Sequence, residues 1–110
     1  MQGPRVIPFD GEWDLARRTE FTSSIMDALG DLREQGELVL DMRAVSYADS
    51  TVIAALHACS RAAREHGVVF AVAASDGPLR RLFTLVALDA VIPIGATPEA
   101  AIALARTRAV

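Results

Sequence analysis

Three residues in a row, Asp49-Ser50-Thr51, carry the densest group of small polar side chains at an element boundary, between an apolar run and an alanine-rich amphipathic segment. Such a strand-to-helix boundary is where α/β sheets present functional groups. One of the three must cap the next helix, because Asp, Ser and Thr satisfy the orphan N–H groups of a first helical turn. A single cap leaves at least one hydroxyl for other work. A Ser50 nucleophile served by His57 is disfavoured, since seven residues of helix separate their α-carbons by about 10 Å along the axis and a base must lie within hydrogen-bond reach. His66 sits near the end of the same helix, where the C-terminal dipole favours it as a solvated residue. No catalytic residue is assigned.

Other chemistries lack their residue patterns. Glycine-rich phosphate loops of the G-x-x-x-x-G-K type are absent, so no nucleotide cofactor is expected. Asp14, Asp41 and Asp49 are too widely spaced to make a hard-metal motif, and no metal is expected. The single cysteine, Cys59, cannot form an internal disulfide; on the apolar stripe of its helix it reads as a small buried hydrophobe, in keeping with a reducing cytoplasm. Trp13, the only tryptophan, is either a lid on the core or an interface anchor.

The elements that must position these residues follow from periodicity. Arg5 to Phe9 reads as a short, marginal strand whose Pro8 suits a sheet edge, followed by a turn at Asp10 and Gly11. From Leu15 to Gln35, Phe21, Ile25, Leu29 and Leu32 mark one face of a helix that Gly36 stops. Glu37 to Met42 is a continuous apolar run expected of a central strand. The helix from Ser50 carries Val52, Leu56, Cys59 and Ala63 on one stripe and stops at Gly67. Val68 to Ala74 is a third strand, and Pro78 opens a helix through Leu82, Phe83 and Val86. Val91 to Ile94 is a last short strand, and Thr97 caps a terminal helix with Glu99 in its first turn. Strands alternating with helices imply an α/β domain, its mostly parallel or mixed sheet of about four strands covered by about four helices.

Composition bounds the rest. The chain has 110 residues, 52% hydrophobic and 23% charged, enough for one domain spanning 1–110 and too few for two. Eleven basic against fourteen acidic residues give a net charge of −3, which lacks the basic footprint of a nucleic-acid binder. No stretch approaches the ~18 apolar residues that span a bilayer, and the start has no signal-peptide pattern, so direct membrane insertion is not expected and a cytoplasmic location is. Aromatic residues make up only 5%, so Val, Leu, Ile and Ala must build the core.

Four segments in order, GEWD at Gly11 to Asp14, LVLDM at Leu38 to Met42, VSYADST at Val45 to Thr51 and PLRRLF at Pro78 to Phe83, resemble the STAS domain, and within it the anti-sigma factor antagonists. The resemblance covers nearly the whole chain. It implies a non-enzymatic regulatory module that binds an anti-sigma factor, itself a serine kinase of the histidine-kinase-like ATPase type, and that a serine phosphatase resets. By this match Ser50 is the phosphoacceptor, Asp49 the preceding aspartate, Thr51 its hydroxyl neighbour and Asp14 the acidic residue that contributes to kinase recognition. Val52 stands where the family pattern usually has Gly, and its branched side chain is expected to meet an approaching partner. The rival implied role is a STAS accessory subunit of a membrane transporter, docking without being phosphorylated. Family members commonly have more strand before the first motif, so a reduced sheet edge here is expected to favour a homodimer or a covering partner.

Overall fold

The computed structural model describes residues 3–32 and 36–108. Its elements are β1 (Arg5–Trp13), a 3-10 turn (Leu15–Arg17), α1 (Arg18–Asp31), β2 (Glu37–Ala48), α2 (Ser50–Glu65), β3 (Val69–Ala73), α3 (Pro78–Leu85), a second 3-10 turn (Leu88–Ala90), β4 (Ile94–Gly95) and α4 (Pro98–Arg108). The four strands form one parallel sheet in the order β1-β2-β3-β4. This is a single compact α/β domain with four helices over the sheet, as the alternation of elements requires.

Side-chain alternation along the central strands builds two unequal layers. Leu38, Leu40 and Met42 of β2 and Phe70 and Val72 of β3 join Phe21, Ile25 and Leu29 of α1, Val52, Leu56 and Cys59 of α2 and Phe83 of α3 in the larger core. Val39, Ala71 and Ala73 face the other way and meet Ala101, Ile102 and Ala105 of α4. Burial on both faces is why β2 and β3 begin as continuous apolar runs. The α4 layer is thin because its residues are small. A Cβ on Gly95 would lie 2.7 Å from the Cα of Ala101.

The first two strands are much longer than their apolar runs. β1 continues to Trp13 instead of ending at Phe9, and β2 continues to Ala48 instead of ending at Met42. Gly11, at φ +77°, is a strand residue rather than a turn; glycine takes the left-handed region without a Cβ clash, and it stands opposite a bulge whose extra residue, Ser46, lies in β2. The register slips between Pro8 and Asp10 and again between Gly11 and Glu12, after which Trp13 pairs with Ala48. Trp13 Nε1–H donates to the Asp10 carbonyl at 2.8 Å and stitches the stretch of β1 opposite the bulge. The first strand is nine residues long and pairs with β2 between Arg5 and Trp13, longer than the marginal strand expected, and it forms one edge of the sheet.

Other boundaries move less. The helix expected over Leu15 to Gln35 begins as a 3-10 turn, its α-helical part ends at Asp31, and Arg33, Glu34 and Gln35 lie outside the described residues. The last strand is Ile94–Gly95 rather than Val91 to Ile94, because Val91 and Ile92 close the preceding turn with N–H bonds to Leu88. The cap at Thr97 is present, its Oγ1 accepting from the N–H of Ala100 at 3.1 Å. Gly67, at φ +69°, lies just past the end of α2, as a left-handed stop should.

Candidate functional site

β1 and β2 end side by side, and each hands the chain to an aspartate. Asp14 and Asp49 both have extended backbone, Asp14 capping the first 3-10 turn and Asp49 capping α2. The Asp14 carboxylate accepts from the N–H of Ala16 at 3.0 Å. One Asp49 oxygen accepts from the N–H groups of Thr51 at 2.9 Å and Val52 at 3.4 Å, and from the Thr51 hydroxyl. The bond from the Thr51 hydroxyl, followed by backbone N–H groups of Thr51, Val52 and Leu15, holds the Asp49 carboxyl below the usual carboxylate range against the opposing effect of desolvation. Such hydrogen bonds favour the charged form.

With Asp49 and Thr51 engaged, the surplus group is Ser50. It is the first residue of α2, exposed, and among the described residues no hydrogen bond engages its Oγ. Ser50 and Thr51 stand at a groove of about 540 Å³ between α1 and α2, whose other wall carries Arg18, Thr19, Thr22 and Ser23 and whose α2 side carries Ala54, Ala55 and Ala58. Small and hydroxyl-bearing side chains make this groove shallow. Among the described residues no base is hydrogen-bonded to the serine.

The structure brings Asp14, Asp49, Ser50 and Thr51 to one end of the sheet, and sets Val52 apart. Val52 is 0% exposed and packs in the larger core, so its side chain cannot meet a partner, and the expectation that it crowds an approaching surface is corrected. The third residue of α2 points inward because Val52, Leu56, Cys59 and Ala63 share one helical stripe. Trp13 is core, edge-on to Phe9 at 5.1 Å and tilted against Phe21 at 5.5 Å. Burial pushes the Cys59 thiol up to about 11, which removes it as a nucleophile. His66 Nδ1 is 2.8 Å from the Ala62 carbonyl at the helix end.

Two exposed apolar neighbours escaped the sequence reading. Leu15 is 62% and Tyr47 52% exposed, and they flank the site in sequence and in the ladder. Strict alternation would place Tyr47 beside buried Val45, but Gly11 pairs with Val45 and Glu12 with Tyr47, so Ser46 is skipped and Tyr47 turns outward. The cause is the extra residue Ser46 in β2, legible only once the strands are paired. A second cleft, of about 710 Å³, lies against Phe9, Trp13, Arg17, Asp41 and Arg43. Four of its charges are paired: Arg43 bonds both oxygens of Asp41 at 2.9 and 2.8 Å, and Arg17 bonds Glu20 at 3.1 Å and lies 3.6 Å over the Trp13 ring.

Among the described residues no helix is long and apolar enough to cross a membrane. An anti-sigma factor antagonist from Mycobacterium paratuberculosis has a similar structure, at 27% identity and a TM-score of 0.77 over 92% of this chain and 84% of that one. The STAS domain of a SulP transporter from Vibrio cholerae shares the fold at 17% identity and a TM-score of 0.68 over 94% and 81%. So does the Bacillus cell fate determinant SpoIIAA in its phosphorylated form, at 20% identity and 0.58 over 89% and 86%. Among curated proteins none matches. The family is generally one of non-enzymatic binding or regulatory modules. The model of the STAS domain matches residues 1–101, and with the fold and the ordered motifs in agreement, the chain belongs to the STAS domain family.

Proposed function

We propose that the protein is an anti-sigma factor antagonist that binds an anti-sigma factor/serine kinase of the histidine-kinase-like ATPase type and is switched off by phosphorylation of Ser50. The observation that carries this reading is the exposed Ser50 hydroxyl, without a hydrogen bond among the described residues, beside a Thr51 whose hydroxyl is bonded to one oxygen of Asp49. In the reaction the γ-phosphoryl group of the partner's ATP passes to Ser50 Oγ; the bond to the bridging oxygen breaks, ADP leaves and the hydroxyl proton goes to the kinase's base. A serine phosphatase reverses it by hydrolysis. Catalysis belongs to the partners, and the domain supplies a docking surface formed by Asp14, Asp49, Ser50 and Thr51 in the cytoplasm.

The similarity to an antagonist of the same class, and the existence of a phosphorylated form of a protein with the same fold, support the reading. Physics supports the direction of the switch. A phosphate adds about −1.5 to −2 charge next to Asp49, and taking such a charge out of water into an interface costs several kcal/mol, of which about 4 is already a thousandfold in affinity. The test is phosphosite mapping of protein isolated from its native cells, with Ser50→Ala as control. Phosphate on Ser50, and loss of kinase binding by Ser50→Asp, are expected. Consistent absence across growth and stress conditions overturns the reading in favour of a constitutive docking module, such as the transporter accessory whose fold this chain shares.

A further inference from the structure

We propose that Arg18 receives the phosphate on Ser50, tying the first turn of α1 to the first turn of α2 across the mouth of the groove between them. The inference rests on the proposed phosphorylation of Ser50 and adds its structural consequence in the free domain. Arg18 and Ser50 are the first residues of α1 and α2. The two helices come after neighbouring parallel strands and pack on the same sheet face, so both begin at the same end of the molecule. Packed helix axes lie about 8–10 Å apart, a gap that an arginine from one side and a phosphoserine from the other close together. Both residues line the same groove.

The charges near Ser50 leave Arg18 as the cation available for this work. Arg17, its neighbour, is spent on Glu20, on the Glu12 carbonyl and on the Trp13 ring. The Arg18 side chain makes no hydrogen bond or ion pair among the described residues. Asp49, on the loop before α2, is the nearest acid in sequence, yet its bonded oxygen is given over to the α2 cap; Asp14, on the strand end beside it, caps the 3-10 turn. A phosphate on Ser50 therefore brings a dianion to a corner with two carboxylates, each holding one oxygen on its own cap, and one guanidinium without a hydrogen bond or ion pair among the described residues. Arginine binds phosphate through a planar fork of donors, and a phosphate opposite an arginine makes about one to three charge-assisted hydrogen bonds. The bridge occupies the groove mouth that the unmodified domain leaves open.

The test needs no kinase. Phosphoserine is placed at position 50 of the full chain by co-translational incorporation, and the phosphate is titrated by phosphorus NMR in the parent, in Arg18→Ala, in Arg18→Lys and in Arg81→Ala, the last on exposed α3 surface as a control. An adjacent cation favours the dianion, so the second pKa of the phosphate is expected to be about 0.5 higher in Arg18→Ala than in the parent, as a surface ion pair allows. The lysine variant is expected between them and the control at the parent value. Slower amide exchange in the first turn of α1 on phosphorylation, lost in Arg18→Ala, is the second expected result. Equal titration in parent and Arg18→Ala overturns the inference, whether or not Ser50 is modified in cells. Conversely, an Arg18 effect with no phosphate found in cells leaves the bridge standing and removes the proposed function.

Discussion

The backbone N–H of Asp49 donates to the carbonyl of Trp13 at 3.3 Å, so the residue that caps α2 is hung on the residue that ends β1. Two residues 36 positions apart in the sequence, counted from 13 to 49, are thereby joined at the end of the sheet where Asp14 and Ser50 stand. Because Trp13 is itself locked between Phe9 and Phe21, the position of Ser50 is referred to the core and not to a free loop.

Removing the Asp49 carboxylate leaves the N–H groups of Thr51 and Val52 and the Thr51 hydroxyl without their acceptor. Asp49→Ala is expected to lower Tm by about 5 °C, the effect of losing a helix cap in a domain of this size. Asp49→Asn, which still caps, is expected to retain most of it. Thermal melts of the three proteins check this.

Ser50→Ala removes a hydroxyl with no partner among the described residues, so its stability is expected to stay within about 0.5 kcal/mol of the parent. Denaturant unfolding measures it. A large loss would show that Ser50 carries a structural load and would weaken its use as a free acceptor.

Arg80 reaches from α3 to the Ala74 carbonyl at 2.9 Å and the Ile94 carbonyl at 3.3 Å, clamping the ends of β3 and β4. Arg80→Ala is expected to cost about 1–2 kcal/mol by leaving part-buried carbonyls unpaired. Arg80→Lys is expected to recover only part, because a single ammonium lacks the fork that bridges two acceptors.

Gly95→Ala drives a methyl into the backbone of α4 at Ala100 and Ala101. The expected cost is about 1–3 kcal/mol, as for overpacking elsewhere, and it should appear as a lower denaturant midpoint with unchanged slope. Ser50, which follows β2 two strands away from β4, is expected to keep its chemical shifts in the folded protein.

Acid should unfold the protein through identified carboxylates. Hydrogen bonds from Arg106, at 2.6 and 2.7 Å, hold Glu37 below its ordinary 4.5 against desolvation, with the Arg106 charge adding to the effect. Asp41 is held below 3.8 by hydrogen bonding from the Arg43 side chain, opposed by burial and assisted by the Arg43 N–H and charge. A lowered native pKa means that the unfolded chain takes up protons first; the stabilisation is complete above the ordinary carboxylate values and is lost as pH falls through the native ones. Denaturant unfolding at about pH 7 and about pH 3 is expected to show a smaller difference in Glu37→Gln than in the parent.

The sequence by itself determined the α/β class, the order of the elements, the inward stripe of α2 and the strand-to-helix boundary at Asp49-Ser50-Thr51, because each is a local signal: a period, an apolar run, a cap. Even the resemblance of GEWD and VSYADST to a known family was local in this sense. The tertiary structure decided how far β1 and β2 extend, since the polar residues from Asp10 to Glu12 and from Arg43 to Tyr47 are held as strand by pairing with each other and not by an apolar pattern of their own. Pairing likewise made Gly11 a strand residue rather than a turn, and the bulge at Ser46 moved Tyr47 from the core side to solvent. Which of three adjacent polar residues is free was also beyond the sequence, because any of them can cap; only the direction of the Asp49 carboxylate and the Thr51 hydroxyl leaves Ser50 over. Val52 went inward by the same helical geometry that points Ser50 outward, a consequence of where the sheet lies relative to α2.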